Sequence, residues 1–185
     1  TMGQLIWSPL SKKGWDIRLR DCQSINYSLH VIGTGALLFM LMDVIIDPVA
    51  FQGDRWFLGK IYMYKEQGEY FNIPLTNFGG WLLVGFAILF LFTRVNRWLD
   101  SMHPVKSCDI KAQALLGPGL YFGVLIFNLA VTFYIGEVLL GVLGTLIASG
   151  ILALVIFKIH NPEKLRVQKS PPRGQGASVT LDPKS

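Results

Sequence analysis

Four long, mostly apolar stretches constrain this 185-residue chain more than any other feature. They cover residues 28–47, 78–97, 112–135 and 138–159. At about 1.5 Å of rise per residue, helices of this length cross the roughly 30 Å hydrocarbon core of a bilayer. The backbone hydrogen bonds of such a segment must be made internally, which a helix does. The sequence therefore predicts an all-α, polytopic integral membrane protein with about four transmembrane helices.

The distribution of basic residues predicts the orientation of these helices. The chain has 51% hydrophobic and only 16% charged residues, and its net charge is +5. Most lysines and arginines lie in the segments before residue 28, between residues 94 and 111, and after residue 157, whereas segment 48–77 holds only Arg55, Lys60 and Lys65. The positive-inside rule then predicts a multi-pass cell-membrane protein with both termini in the cytoplasm. The basic excess reflects this topology, so we expect no nucleic-acid partner.

On this topology the chain has three parts. Residues 1–27 are predicted to form a cytoplasmic N-terminal segment, and residues 28–159 to form the four-helix transmembrane domain. Residues 160–185 are rich in Pro, Gly, Ser and charge, so we expect a disordered cytoplasmic tail. The last two helices are separated by Gly136 and Glu137 alone, a link that favours an antiparallel helical hairpin.

Two aspartates near the end of the first span are the strongest candidates for chemistry. Asp43 and Asp47 are four residues apart and therefore share one helix face, with side chains roughly 5 to 6 Å apart. Pro48 follows them and predicts that the helix ends near Asp47. Burial and mutual repulsion disfavour two ionised carboxylates there, so we expect one neutral acid at pH 7. The structural alternative is that Asp43 bonds a neighbouring helix and Asp47 caps the following turn.

The segment that follows this pair is unusually aromatic. Its candidate binding residues are Trp56, Tyr70, Phe71, Asn77, Phe78 and Trp81. An interfacial aromatic belt explains some of these residues but not the sequence "PLTNFGGW", where Pro74 and the glycines indicate a tight return into the second helix. Long ordered loops are usually functional. We therefore predict a lid of aromatic rings over a carboxylate pair, which suits an apolar substrate that must be protonated.

The stretches "DVIIDPVAFQGDRWFLG" and "GEYFNIPLTNFGGW" carry a family resemblance. This block, residues 43–81, resembles the signature of CruF-type carotenoid biosynthesis proteins, the carotenoid 1,2-hydratase and bisanhydrobacterioruberin hydratase family. Asn72 stands where that pattern commonly has glycine. Members usually carry several further helices ahead of the block, so the resemblance is to their C-terminal portion.

The resemblance implies a carotenoid substrate and hydration of its terminal acyclic double bond to a tertiary alcohol. Such a site needs a general acid, a group that holds water, and a surface that tolerates a carbocation. Asp43 and Asp47 are the predicted catalytic pair, with Asp43 favoured as the acid because we expect it to be the more deeply buried. Aromatic rings would stabilise the cation and Asn77 would hold water or a carboxyl group. No cofactor and no metal are predicted.

Two other functions remain open from the sequence. Aspartates with this spacing could bind a diphosphate through magnesium, as in a UbiA-like membrane prenyltransferase, although only one such acidic motif is present. The chain could also be a non-catalytic carotenoid-binding membrane subunit. In each case the lipid bilayer surrounds it, and other membrane enzymes of the carotenoid pathway are candidate partners. The particular carotenoid and the oligomeric state are left open.

Four further polar residues are given structural interpretations. Asn128 and Thr132 lie one turn apart in the third span and are expected to hydrogen-bond a neighbouring helix. Glu69 in the loop and Glu137 in the helical hairpin are expected to be solvated charges.

Overall fold

A computed structural model describes residues 1–13, 15–19, 27–55, 59, 64, 68–102 and 111–161. The chain begins with helix α1 (Met2–Trp7) and a hairpin of strands β1 (Leu10–Lys13) and β2 (Asp16–Leu19). The long helices are α2 (Leu29–Ala50), α3 (Leu75–Met102), α4 (Gln113–Tyr134) and α5 (Val138–His160), with a short 3-10 turn at Gly53–Arg55. Within the described residues, α2 to α5 are each long and apolar enough to cross a membrane. The predicted all-α architecture with four spanning helices is confirmed.

The end of α2 differs from the prediction. The helix does not stop near Asp47 but continues to Ala50, with Pro48 inside its last turn. The Phe51 amide still donates to the Asp47 carbonyl at 2.9 Å. A proline here removes only its own donor, and the two residues after it are almost fully buried. Tertiary packing therefore holds the last turn, and Asp43 lies nearly two turns inside the helix.

The N-terminal segment contains more structure than its mixed composition indicates. Leu10 and Leu19 form one end of the antiparallel hairpin, and the pairing continues to Lys13 and Asp16. Leu10 and Ile17 are both 6% exposed and join the main hydrophobic core. Helix α1 packs against α2, where the Trp7 indole donates to the Thr34 hydroxyl at 2.8 Å. Of the tail predicted to be disordered, all but residues 160 and 161 lie outside the described residues.

The other three long helices, α3, α4 and α5, pack around α2 and each contacts it. Buried residues recur every three or four positions along α4, as expected for one side of a helix. They are Ala114, Pro118, Tyr121, Leu125, Asn128 and Thr132. By contrast, α3 exposes much of its apolar surface, including Leu83 and Leu91 at 72% and 64%. Surface this apolar is costly in water and suits contact with lipid.

The turn between α4 and α5 is bonded to the 3-10 turn that follows α2. Arg55 Nη1 lies 2.8 Å from Glu137 Oε1, and its other terminal nitrogen donates to the Ile135 carbonyl. Gly136 supplies the positive φ, 83°, that this turn needs. The position of Glu137 in a tight turn predicted a solvated charge. In the structure this residue also forms an ion pair. It joins the 3-10 turn to the α4–α5 hairpin.

The prediction that Asn128 and Thr132 hydrogen-bond a neighbouring helix is also wrong. The Asn128 amide donates to the Val124 carbonyl at 3.0 Å, and the Thr132 hydroxyl donates to the Asn128 carbonyl at 2.7 Å. Both bonds stay within the helix, because side chains of this length reach the carbonyl one turn earlier. Among the described residues, Asn128 Oδ1 is buried without a hydrogen-bond partner.

The hairpin is joined to α4 through Asp16, which leads to a titration prediction. Its Oδ1 accepts from the Ala112 amide at 2.9 Å, and its Oδ2 lies 2.7 Å from the Arg18 guanidinium. The bond from Arg18 and then that from Ala112 hold the pKa of Asp16 at about 2. The stabilisation is therefore present above about pH 4 and is lost as the pH falls towards 2.

We expect the carboxyl resonance of Asp16 to titrate near pH 2 in the intact chain, followed by NMR in detergent micelles. Arg18→Gln should move the midpoint towards the ordinary value of about 3.9. Arg94→Gln, a charge removal on α3, should leave it unchanged. Equal midpoints in the native chain and Arg18→Gln would contradict this account.

Candidate active site

The polar end of α2 meets the start of α3 through one amide. Asn77 Nδ2 donates to Asp47 Oδ2 at 2.7 Å and to Asp43 Oδ2 at 3.3 Å. The spacing of the aspartates places both on one helix face, and Asn77 lies in the first turn of α3, opposite that face. The structure thus brings together the two predicted catalytic residues and one predicted binding residue. An amide carries two N–H groups, so a single Asn can hold two carboxyl groups.

The two aspartates differ in burial, in the opposite sense to the prediction. Asp47 is 8% exposed, whereas Asp43 is half-buried. The reason is the continuation of α2 beyond Asp47, where Val49 and Ala50 pack in a hydrophobic cluster with Leu140 of α5. Asp47 is therefore buried where the end of its own helix packs. Asp43 is the more accessible carboxyl group.

Tyr64 is a site residue that the sequence analysis did not select. Its phenol forms a side-chain hydrogen bond with Asp47, and its ring centre lies 5.7 Å from that of Phe51. Burial, and then the nearby charges of Asp47 and Asp43, raise the pKa of Tyr64. The phenol therefore keeps its proton and donates. Tyr64 lies in the aromatic segment of the sequence. Its distance from Asp47 depends on the fold of the loop, which a local sequence pattern does not predict.

A tight turn sets the position of Asn77. Tyr70 and Ile73 exchange backbone hydrogen bonds of 3.2 and 2.8 Å, and Phe71 and Asn72 between them have φ values of 48° and 67°. Asn tolerates this left-handed conformation better than most residues, which explains how Asn72 replaces the glycine common in the family pattern. A Cβ on Gly68 would lie 2.1 Å from the Ile73 carbonyl carbon. The turn therefore requires a glycine at residue 68.

Glu69 also belongs to this turn. Its Oε2 accepts from the Leu75 amide at 3.3 Å, at the first residue of α3. The amides of a first helical turn have no intrahelical partner, and a carboxylate is favoured there. Glu69 is exposed, as predicted for a solvated charge, and it also caps the start of α3.

The predicted aromatic residues fall into two groups. Tyr70 lies edge-on to Phe71 and Phe78, with ring centres 4.9 and 5.7 Å apart. Trp81 lies edge-on to Phe39 at 5.7 Å, and Phe39 precedes Asp43 by one turn of α2. The first group supports the turn and the second lies beside the aspartates on the helix side. Trp56 lies outside the described residues.

The comparison with protein families identifies the chain. The sequence profile described as "Carotenoid biosynthesis protein" matches residues 10–151. The chain belongs to this family. The match supports the CruF-type assignment that the block at residues 43–81 suggested, and it takes in both aspartates and Asn77. Comparisons with curated proteins and with solved structures find no match.

The site of this carotenoid biosynthesis protein offers carboxyl, amide and phenol groups next to apolar rings. Among the described residues, no group of three or more His, Cys, Asp and Glu side chains is placed to hold a metal ion. The carboxyl pair can hold one proton between its members, and Asn77 and Tyr64 can donate to it. Such a site can give and take a proton at the edge of an apolar region.

The left-handed turn in this family member gives a stability prediction. Asn72→Gly should keep the free energy of unfolding within about 0.5–1 kcal/mol of the native value, because glycine adopts this φ freely. Asn72→Val should lower it by about 1–3 kcal/mol, because a β-branched residue is strained there. Thermal unfolding midpoints in one detergent would compare the three proteins. Equal destabilisation by Gly and Val would show that the Asn side chain matters, and not the backbone conformation.

Proposed function

We propose that this protein adds water to the terminal acyclic double bond of a carotenoid and so forms a tertiary alcohol. Membership of the carotenoid biosynthesis protein family gives the pathway. The observation that supports hydration is the carboxyl pair bridged by Asn77 at 2.7 and 3.3 Å, next to apolar helix surface. Hydration of an alkene is acid and base chemistry, and these groups supply both.

The reaction sets clear requirements. A proton adds to the less substituted carbon of the double bond, and the π electrons form the new C–H bond. The other carbon becomes a tertiary cation, which a water oxygen captures. A base then takes a proton from that water, so the carboxyl pair regains the proton that it gave. The site needs one protonated carboxyl group within reach of the alkene carbon and one ionised carboxyl group within reach of the attacking water.

The difference in burial suggests how the roles divide. Asp43, the more accessible carboxyl, is placed to donate a proton to the alkene. Asp47 accepts hydrogen bonds from Asn77 and Tyr64, so it is assigned to orient water and receive its proton. The sequence also favours Asp43 as the acid, but on an expected greater depth; the present assignment rests instead on the greater accessibility of Asp43.

Aromatic rings suit the cationic stage. Phe39 lies one turn from Asp43 towards the middle of α2, and Trp81 of α3 is in edge-on contact with it, where the alkene would have to approach. A cation over an aromatic face is stabilised by roughly 0.5–2 kcal/mol, and a ring does not capture the cation as a nucleophile would. Water would therefore reach the cation from the side of Asn77 and Tyr64.

Co-expression in bacteria that accumulate lycopene tests the proposal. The native chain should yield a pigment heavier by one water, seen by mass spectrometry of extracted carotenoids. Asp43→Asn and Asp47→Asn should each lower the yield by about a hundredfold or more, the range that general acid–base catalysis supplies. Asp54→Asn, on an exposed aspartate of the 3-10 turn, is the matched control and should keep the product.

The outcomes separate the alternatives. Hydrated pigment from Asp47→Asn at the native level would contradict the proposal. Pigment that binds the native chain but never gains mass would support the non-catalytic carotenoid-binding subunit. A prenylated product that forms only with added magnesium and disappears with a chelator would favour the prenyltransferase-like diphosphate site.

A second prediction concerns Tyr64. Tyr64→Phe removes one donor to Asp47, and a hydrogen bond to a charged group contributes about 1.5–3 kcal/mol. We expect the rate of hydration to fall roughly ten- to a hundredfold, measured from initial rates with purified protein. Tyr134→Phe, at a tyrosine that is 91% exposed, is the control. An unchanged rate in Tyr64→Phe would remove this residue from the site.

A further inference from the structure

An apolar groove of about 380 Å³ lies between α2, α3 and α4. Its walls include Gly35 and Leu38 of α2, Gly85 and Ile88 of α3, and Leu120 of α4. This volume falls in the range of small-molecule pockets, about 300–1,000 Å³. Thr1 and Met2 line the end next to Gly35. The opposite end is lined by Phe39 and Met42, within about one helical turn of Asp43.

The groove and the aspartates are neighbours along α2, although neither aspartate lines the groove. Met42, directly before Asp43, and Phe39, one turn earlier, both line the groove. The ring of Phe39 also lies 5.7 Å from that of Trp81, on α3. From Gly35 to Met42 the groove follows seven residues of helix, or about 10 Å. A ligand that fills it would place one end beside Asp43.

Two glycines, Gly35 and Gly85, allow the helices to approach closely and so shape the wall of the groove. A Cβ on Gly85 would lie 2.9 Å from Phe39 Cδ1, and one on Gly35 would lie 2.6 Å from Leu89 Cδ1. The side chains of Phe39 and Leu89 therefore occupy space that a larger residue would take. The Tyr121 hydroxyl, one of few polar groups along the wall, donates to the Leu38 carbonyl at 2.9 Å. None of the described lining side chains is charged.

The groove opens sideways on the apolar surface. Ile88 and Leu120, on opposite walls, are 57% and 75% exposed and lie on helices of spanning length. A ligand dissolved in the hydrocarbon of the bilayer could therefore enter without crossing water. Apart from the amino group of Thr1 at one end, the described lining offers a charged ligand no partner, whereas a hydrocarbon chain needs none.

From these observations we propose that the groove binds the part of the carotenoid's hydrocarbon polyene next to its acyclic end and directs that end towards Asp43. The proposal rests on the proposed function, since it names the place and the direction of the same substrate. A phospholipid acyl chain has similar chemistry. The polyene is favoured because the groove ends within about one helical turn of Asp43, where a terminal double bond can react and a saturated acyl chain cannot.

Groove-filling variants test this with lycopene as the probe. The full chain would be purified in phosphatidylcholine nanodiscs loaded with lycopene, and the retained pigment per protein would be measured by absorbance. Ile88→Trp and Leu120→Trp should each lower retention at least tenfold. The matched controls are Leu83→Trp on α3 and Ile126→Trp on α4, which are 72% and 67% exposed and do not line the groove. These should bind as the native chain does, with all thermal midpoints similar.

The result can separate the groove from the chemistry. Asp43→Asn and Asp47→Asn should retain lycopene at the native level while they lose hydration. If the groove-filling variants lose the pigment and no chain ever adds water, the groove stands and the proposed hydration fails. If Ile88→Trp and Leu120→Trp retain lycopene as their controls do, the groove proposal is overturned. Retention of phospholipid but no lycopene by the native chain would overturn it as well.

Discussion

The hydrogen bonds from Asn77 to Asp43 and Asp47 are the interaction on which the site depends. Two carboxyl groups near the end of a membrane-spanning helix are costly unless polar partners satisfy them. Asn77 supplies these partners from a second helix, at 2.7 and 3.3 Å, and so fixes the register of α3 against α2. The turn before α3 serves that register, since its left-handed Asn72 and the cap from Glu69 decide where the helix begins.

The parts of the structure that were predictable are those that local sequence determines. Length and hydropathy predict spanning helices because lipid leaves the backbone no other partner. The spacing of Asp43 and Asp47 predicts a shared face because helix geometry is fixed. The end of α2 was not predictable in the same way. Pro48 favours termination, yet the buried residues that follow it gain enough packing to keep the helix intact to Ala50.

The contribution of Tyr64 and the relative depth of the aspartates lie outside what a pattern can give. A sequence shows that an aromatic segment and an acidic pair are neighbours, but it does not show that one phenol reaches Asp47. Nor does it show that α2 continues to Ala50 and buries Asp47 more than Asp43. The relative burial of the two aspartates was therefore not predictable, even though the pair itself was evident.

The site divides into a polar and an apolar side, and this division matters for hydration. Asn77 in the first turn of α3 and Tyr64 of the loop supply polar groups to the carboxyl pair, whereas Phe39, Met42 and the groove lie along the helices on its other side. Water is costly to place among apolar walls, so its access would be from the loop side. A cation formed at the end of the groove would then meet water from one direction. The polyene behind it would stay dry, which would limit water addition to the terminal double bond.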